Sequence, residues 1–155
     1  MSHFAVDAIT RILPHRYPFL LIDQVAEFIP GQRIVAMKHF SVNDHVARGN
    51  PPGLALIPTG VVMELVTQVG AVLVMERPEM AGKIAMIINI PSARIIKPLE
   101  AGDTVRVEAE VVRMKAQFGE LRGSIFRSGE LVAEGQMRFG IASAQDILPS
   151  KTSSS

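Results

Sequence analysis

The run from Gly60 to Met75 constrains this chain more than any other part of it. Val61, Val62, Met63, Leu65, Val66, Val69, Ala71, Val72, Leu73 and Val74 fall on most of the circumference of a helix, so no broad face is left to give to water. Thr59 is placed to cap its start, and Pro78 to stop it. Glu64, Thr67 and Gln68 interrupt the run, which is also shorter than the roughly 18 apolar residues a membrane span requires. The expectation is a helix buried in protein, with no membrane insertion. Such a helix must be covered on several sides, and the rest of the chain has to supply the cover.

Past Gly82 the period changes from helical to two-residue alternation. Val105, Val107, Ala109 and Val111 alternate with Arg106, Glu108 and Glu110, the pattern of a half-buried antiparallel strand. Leu131, Ala133, Gly135, Met137, Phe139 and Ile141 repeat it, and the Ser128-Gly129 turn joins that strand to Leu121–Phe126. Lys83–Ile88 and Ala93–Pro98 read as further strand material. Ahead of the helix, Asp7–Leu13 reads as a short helix ended by Pro14. Phe19–Phe28 and Arg33–Val42 read as a hairpin turned at Pro30-Gly31. About six antiparallel strands curling around one central apolar helix give an α+β chain of the hot-dog fold. An α+β sandwich with the helix at a dimer interface fits the same pattern. The 155 residues make one domain, 1–146, followed by a Ser-rich tail, 147–155.

Composition removes several functions. Lys plus Arg number 16 and Asp plus Glu 15, a formal charge of +1 with the basic residues scattered, which argues against a nucleic-acid partner. With no Cys, disulfide frameworks, thiolate zinc sites and Cys nucleophiles are excluded. The first residues lack the basic start and apolar core of an export signal, so a cytoplasmic protein is expected. His3, His15, His39 and His45 show no metal-ligand spacing, and no metal is expected. Neither a Gly-x-Ser-x-Gly elbow nor a phosphate or dinucleotide loop occurs, so no cofactor is expected either. The eight Met residues suit core filling, or a pocket for a flexible aliphatic chain.

Three places could carry chemistry. Glu64, Thr67 and Gln68 stand at i, i+3 and i+4 and so share one side of the apolar helix. A carboxyl on a buried helix is the kind of group general acid–base chemistry uses, because burial disfavours the charged form. The same Glu could equally be satisfied by an Arg or by backbone amides, or face solvent through a gap in the wrap. The loop Gly49-Asn50-Pro51-Pro52-Gly53 is stiff and can bring backbone close to a ligand, or can be a plain connector. At the helix start, the amides around Thr59, Gly60 and Val61 could polarise a carbonyl oxygen.

The run Ile12-Leu13-Pro14-His15-Arg16-Tyr17-Pro18-Phe19-Leu20-Leu21-Ile22-Asp23 resembles, almost letter for letter, the opening segment of the 3-hydroxyacyl-acyl-carrier-protein dehydratases. Asn43-Asp44, Met63-Glu64-Leu65-Val66-Thr67-Gln68, Ser92-Ala93-Arg94, Lys97-Pro98 and Gly102-Asp103 resemble later segments of the same family, so the likeness runs from about Ile12 to about Ile141. It implies a hot-dog fold, a cytoplasmic lyase of fatty acid or polyketide-type synthesis, and a 3-hydroxyacyl thioester of acyl carrier protein or coenzyme A as substrate. It also implies homodimers, in places assembled as trimers of dimers. Glu64 is implied as the catalytic acid, with Asn50 beside it, and Gly49, Gly53, Thr59, Gly60, Gln68 and Arg94 as substrate-binding positions.

The family's loop reads Gly-His-Phe-Pro-Gly, and Asn50 stands 14 residues before Glu64, as the family's His does. An amide can hold a substrate but cannot act as a base. Pro51, Ala55 and Thr59 also depart from the family's Phe, Pro and Gly, as in natural divergence. Three functions follow. One is a dehydratase of altered mechanism, with Glu64 as acid/base, Asn50 orienting the substrate and His45 a possible substitute. The second is a hot-dog thioesterase in which Glu64 activates water. The third is an acyl-carrier-binding subunit without catalysis.

Overall fold

A computed structural model of the protein describes residues 4–47 and 55–147. After a two-residue strand β1 (Phe4–Ala5), the chain forms α1 (Val6–Ile12), β2 (Gln24–Ile29), β3 (Arg33–His39) and a single 3-10 turn at His45–Ala47. The long helix α2 (Thr59–Met75) follows, then β4 (Lys83–Ile95), β5 (Thr104–Met114), β6 (Phe118–Arg127), β7 (Glu130–Ser143) and the short α3 (Ala144–Ile147). The seven strands make one antiparallel sheet in the order β1-β2-β3-β5-β6-β7-β4. Its inner face wraps α2, as the hot-dog reading requires.

The alternation read in β5 is the alternation observed: Val105, Val107 and Ala109 are buried with charged neighbours outside. In β7 it holds from Ala133 through Met137 and Phe139 to Ile141, but at the strand's start Val132 is buried in place of Leu131, because the pairing with β6 shifts there. In β2 the inward residues are Val25 and Phe28, three apart, because the pairing with β3 slips by one residue between Val25 and Glu27. The β6–β7 turn stands as read, with Ser128 and Gly129 both at positive φ, the geometry of a tight hairpin.

Close approach of helix and sheet depends on missing side chains. Gly123 and Gly135 lie directly opposite each other on β6 and β7. A Cβ on Gly123 would stand 2.1 Å from Val66 Cγ1, and one on Gly135 would stand 3.3 Å from Met63 Sδ. On the helix side, a Cβ on Gly70 would meet Leu121 Cδ1 at 2.5 Å. The sheet therefore touches α2 along three glycines, and Leu65, Val66, Val69, Val72, Leu73 and Val74 are buried round the helix.

Several expected boundaries move. Residues 19–23 are not part of β2: Phe19 and Leu20 return their N–H groups to Arg16 O in a turn, and Leu21 N–H goes to the Gln68 side chain. Strand β3 stops at His39, before Val42, because Phe40 turns to pair with Asp103 and Gly102, and Ser41 N–H is taken by the Asp44 carboxylate. Lys83–Ile88 and Ala93–Pro98 are one strand, not two. β7 pairs on both sides of Pro91, with irregularities between Ile87 and Ser92. Thr59 does not cap α2; the chain enters the helix at Pro58, whose carbonyl accepts from both Val61 and Val62, and Thr59 is the first helical residue.

A clasp fixes the stretch ahead of α2. Lys38, with only 8% of its side chain exposed, lies 3.4 Å from Asp23 Oδ1 and 3.2 Å from Asp44 Oδ2. Asp23 Oδ2 also accepts from His39 N–H, so β2, β3 and the 41–47 turn share one polar knot over the Phe40 ring.

Candidate active site

Gln68 organises the site. It is completely buried, and a buried amide must find partners for both its ends. Its Oε1 accepts from Leu21 N–H at 2.9 Å; its Nε2 donates to Phe19 O at 2.8 Å and to Glu64 Oε1 at 2.9 Å. One side chain thus sutures the irregular segment after Pro14 to the second turn of α2. Arg16 stiffens the same segment by donating to the carbonyls of Thr10, Leu13 and His15.

That suture brings His15 to Glu64. The His15 Nε2 lies 3.5 Å from Glu64 Oε1, with both side chains 25% exposed. The imidazole stacks on Phe19 at 5.7 Å, while its Nδ1 is buried with no hydrogen-bond partner among the described residues. Among the described residues both contacts of the carboxyl are made by Oε1, and Oε2 is not engaged. Of the alternatives open for Glu64, the partners found among the described residues are an amide and an imidazole and not an Arg.

Thr67 does not join this cluster. Its hydroxyl donates to Met63 O and reaches Met137 Sδ at 3.2 Å, turning it along the helix toward the sheet. Thr59 and Gly60 are exposed at the start of α2; the Val61 amide, expected to be open, is taken by Pro58 O. Arg94 lies on β4, 65% exposed and paired with Glu134 at 2.5 Å, and among the described residues no contact joins it to Glu64. His45 packs edge-on to Tyr17 with centroids 6.5 Å apart, so the histidine beside Glu64 is His15. Gly49, Asn50 and Gly53 lie outside the described residues.

His15 was not among the residues the sequence singled out. A signal for it existed: a Gln on an otherwise apolar helix has to bond backbone left unpaired by the sheet, and the proline-bracketed Pro14–Pro18 segment leads straight into such backbone.

A sheet wrapped on one buried helix makes this a hot-dog protein, with the Glu64 carboxyl on that helix as its candidate site. The fold recurs at a TM-score of 0.62 and 21% identity in a hot-dog-like protein from Thermanaerovibrio acidaminovorans, over 76% of this chain and 86% of that one. It recurs at 0.75 and 15% identity in a chain of the dehydratase heterocomplex ApeI:P from Xenorhabdus doucetiae, over 88% of this chain and 92% of that one. A model of the FabA-like domain matches residues 13–136. The 3-hydroxyacyl-[acyl-carrier-protein] dehydratase FabZ of Symbiobacterium thermophilum is 40% identical over 140 residues, 90% of this chain and 99% of the relative. The chain belongs to the FabA-like family, in the company of these 3-hydroxyacyl-acyl-carrier-protein dehydratases.

Proposed function

We propose that this protein dehydrates 3-hydroxyacyl thioesters to trans-2-enoyl thioesters in fatty acid or polyketide-type synthesis, in the cytoplasm. The observation that carries the reading is the Glu64 carboxyl, oriented through Oε1 by Gln68 on a buried helix, with Oε2 unengaged among the described residues. Dehydration takes one proton from Cα and delivers one to the departing hydroxyl, and Glu64 is placed to serve one of these transfers as general acid or base. Asn50 would hold the thioester carbonyl through its amide, with Gly49, Gly53, Thr59 and Gly60 shaping the approach of the chain.

Two surface features support the partners this reading needs. β4 is an edge strand of 13 residues, paired among the described residues only with β7, with Met86, Ile87, Ile88 and Ile90 exposed along it. An apolar edge of that length calls for cover, and a second copy of this chain supplies it. Beside Ile88, a groove of about 210 Å³ is lined by Phe118, by Arg113 and Lys115, and by Arg138 in its pair with Glu120, a net excess of positive charge. Cations round an apolar mouth suit the acidic, phosphate-bearing carrier of an acyl thioester.

The test offers purified protein 3-hydroxyacyl and trans-2-enoyl thioesters of both carrier protein and coenzyme A. Interconversion, followed by enoyl absorbance, is expected; Glu64→Ala abolishes it and Asn50→His raises it. Release of free thiol would make the protein a thioesterase instead. Binding without turnover of either kind would leave it a carrier-binding subunit, and turnover that survives Glu64→Ala would overturn the site assignment.

A further inference from the structure

The reaction proposed above needs two proton-transferring groups, and Glu64 is one. We infer that His15 is the other, so that the site works through a His15–Glu64 pair built within one subunit. This inference rests on the dehydratase reading and names the second group in it.

Three observations carry the assignment. Among the described residues His15 is the titratable side chain paired with Glu64, with Nε2 3.5 Å from Oε1. Among the described residues the buried Nδ1 has no partner, so proton traffic through this ring uses Nε2, the nitrogen that faces the carboxyl. Both side chains are one-quarter exposed, so neither is sealed from a substrate, while the segment behind them is fixed. Gln68 ties the backbone after His15 to the turn carrying Glu64, Arg16 holds the His15 carbonyl, and Phe19 backs the ring. Among the described residues the charged or titratable side chain in contact with the imidazole is Glu64 from α2; Arg16, in its own segment, bonds the His15 carbonyl. His45 is one ring further out, across Tyr17.

The step balances without a further reactant. Glu64 Oε2, as carboxylate, takes the proton from Cα of the 3-hydroxyacyl thioester. The electron pair of the broken C–H bond becomes the carbon–carbon double bond, and the Cβ–O bond breaks. The imidazolium Nε2–H gives its proton to the departing hydroxyl, which leaves as water. The pair is then a carboxylic acid beside a neutral imidazole, and one proton passed from Glu64 to His15 across their contact restores the starting state. Since the two transfers are divided between Glu64 and His15, no titratable side chain is required at position 50.

The decisive variant is His15→Gln, which keeps an N–H donor for Glu64 but cannot titrate. The expected result is a fall in kcat of roughly 10²- to 10⁴-fold, the usual worth of one positioned acid or base, with KM little changed. One limb of the pH profile of kcat/KM is lost with it. If His15→Gln turns over like the wild type with the same profile, His15 only positions Glu64 and the inference is wrong. Should His15→Gln and His15→Asn both fail to fold, nitrogen NMR of the histidine rings in the full chain decides. The Nε2 resonance of His15 should respond to Glu64→Gln and to bound 3-hydroxyacyl thioester, and indifference to both overturns the pair. A wild-type protein that neither dehydrates nor hydrates any of the thioesters overturns the functional reading and this inference together; an active wild type with an equally active His15→Gln overturns the inference alone.

Discussion

Replacing Gln68 by Leu tests how the site is held together. The substitution keeps roughly the volume of a completely buried side chain and removes all three of its hydrogen bonds. Leu21 N–H, on a buried residue, then has no acceptor, and Phe19 O loses its donor. A buried polar group left unpaired costs on the order of 1–3 kcal/mol. The Leu21 amide pays that in full; the Phe19 carbonyl sits on a half-exposed residue, so water recovers part of its share. The loss should be about 2–4 kcal/mol. For a chain of this size 1 kcal/mol moves the melting temperature by roughly 2–4 °C, so a loss near 3 kcal/mol lowers it by about 6–12 °C. The measurement is a thermal melt of wild type and variant at one protein concentration, since association also shifts the midpoint. Turnover should fall as well, because Glu64 loses the donor that orients Oε1. A variant that melts within about 2 °C of the wild type would refute the claim that this amide holds the segment to the helix. Gln68→Glu supplies a control of the opposite character. It keeps an acceptor for Leu21 but sets a second carboxyl beside Glu64, and mutual repulsion makes the pair hold a proton more tightly in the folded state than in the unfolded one. The folded state then binds more protons, so the stability of this variant should fall as pH rises from about 5 to about 8.

Three other outcomes follow from the packing. Gly123→Ala should destabilise the protein by about 1–3 kcal/mol, because its Cβ would stand 2.1 Å from Val66 Cγ1; urea unfolding checks this, and Val66→Ala in the same chain should restore most of the loss. Ile88→Lys with Ile90→Lys places two charges on the open edge of β4 and should shift the protein toward monomer in analytical ultracentrifugation without lowering helix content by circular dichroism. Asp44→Ala takes one of two carboxylates from a nearly buried Lys38 and the acceptor from Ser41 N–H. A loss on the order of 2 kcal/mol in chemical unfolding is expected, smaller than for a fully buried pair because Asp44 is itself partly hydrated.

Which parts of this molecule could be read from its sequence depends on the range of the interaction that decides each part. The identity of α2, β5 and β7 is a matter of periodicity within a dozen residues, and burial agrees with it except at the start of β7, where a bulge buries Val132 in place of Leu131. Where strands end is decided by distant backbone. Nothing in Phe19–Asp23 says that its Leu21 amide will bond a side chain 47 residues away instead of a neighbouring strand, so an apolar, strand-like run became the irregular support of the site. The continuity of β4 across Pro91 was hidden for the related reason that a proline stops a local reading, while β7 carries the pairing past it.

The site shows the same division more sharply. Glu64 and Gln68 were legible as a pair because helical geometry places i and i+4 together whatever surrounds them. Thr67 was grouped with them on the same rule, but a hydroxyl can bond the carbonyl one turn back, and this one does. His15 could not be placed by any local rule, since its relation to Glu64 exists only through the tertiary suture at Gln68. Yet the suture was implied by one residue: a glutamine buried in an apolar helix costs several kcal/mol unless backbone groups meet both ends of its amide. Asking which backbone in the chain had no strand to pair with leads to the proline-bracketed segment, and from there to the histidine that follows Pro14.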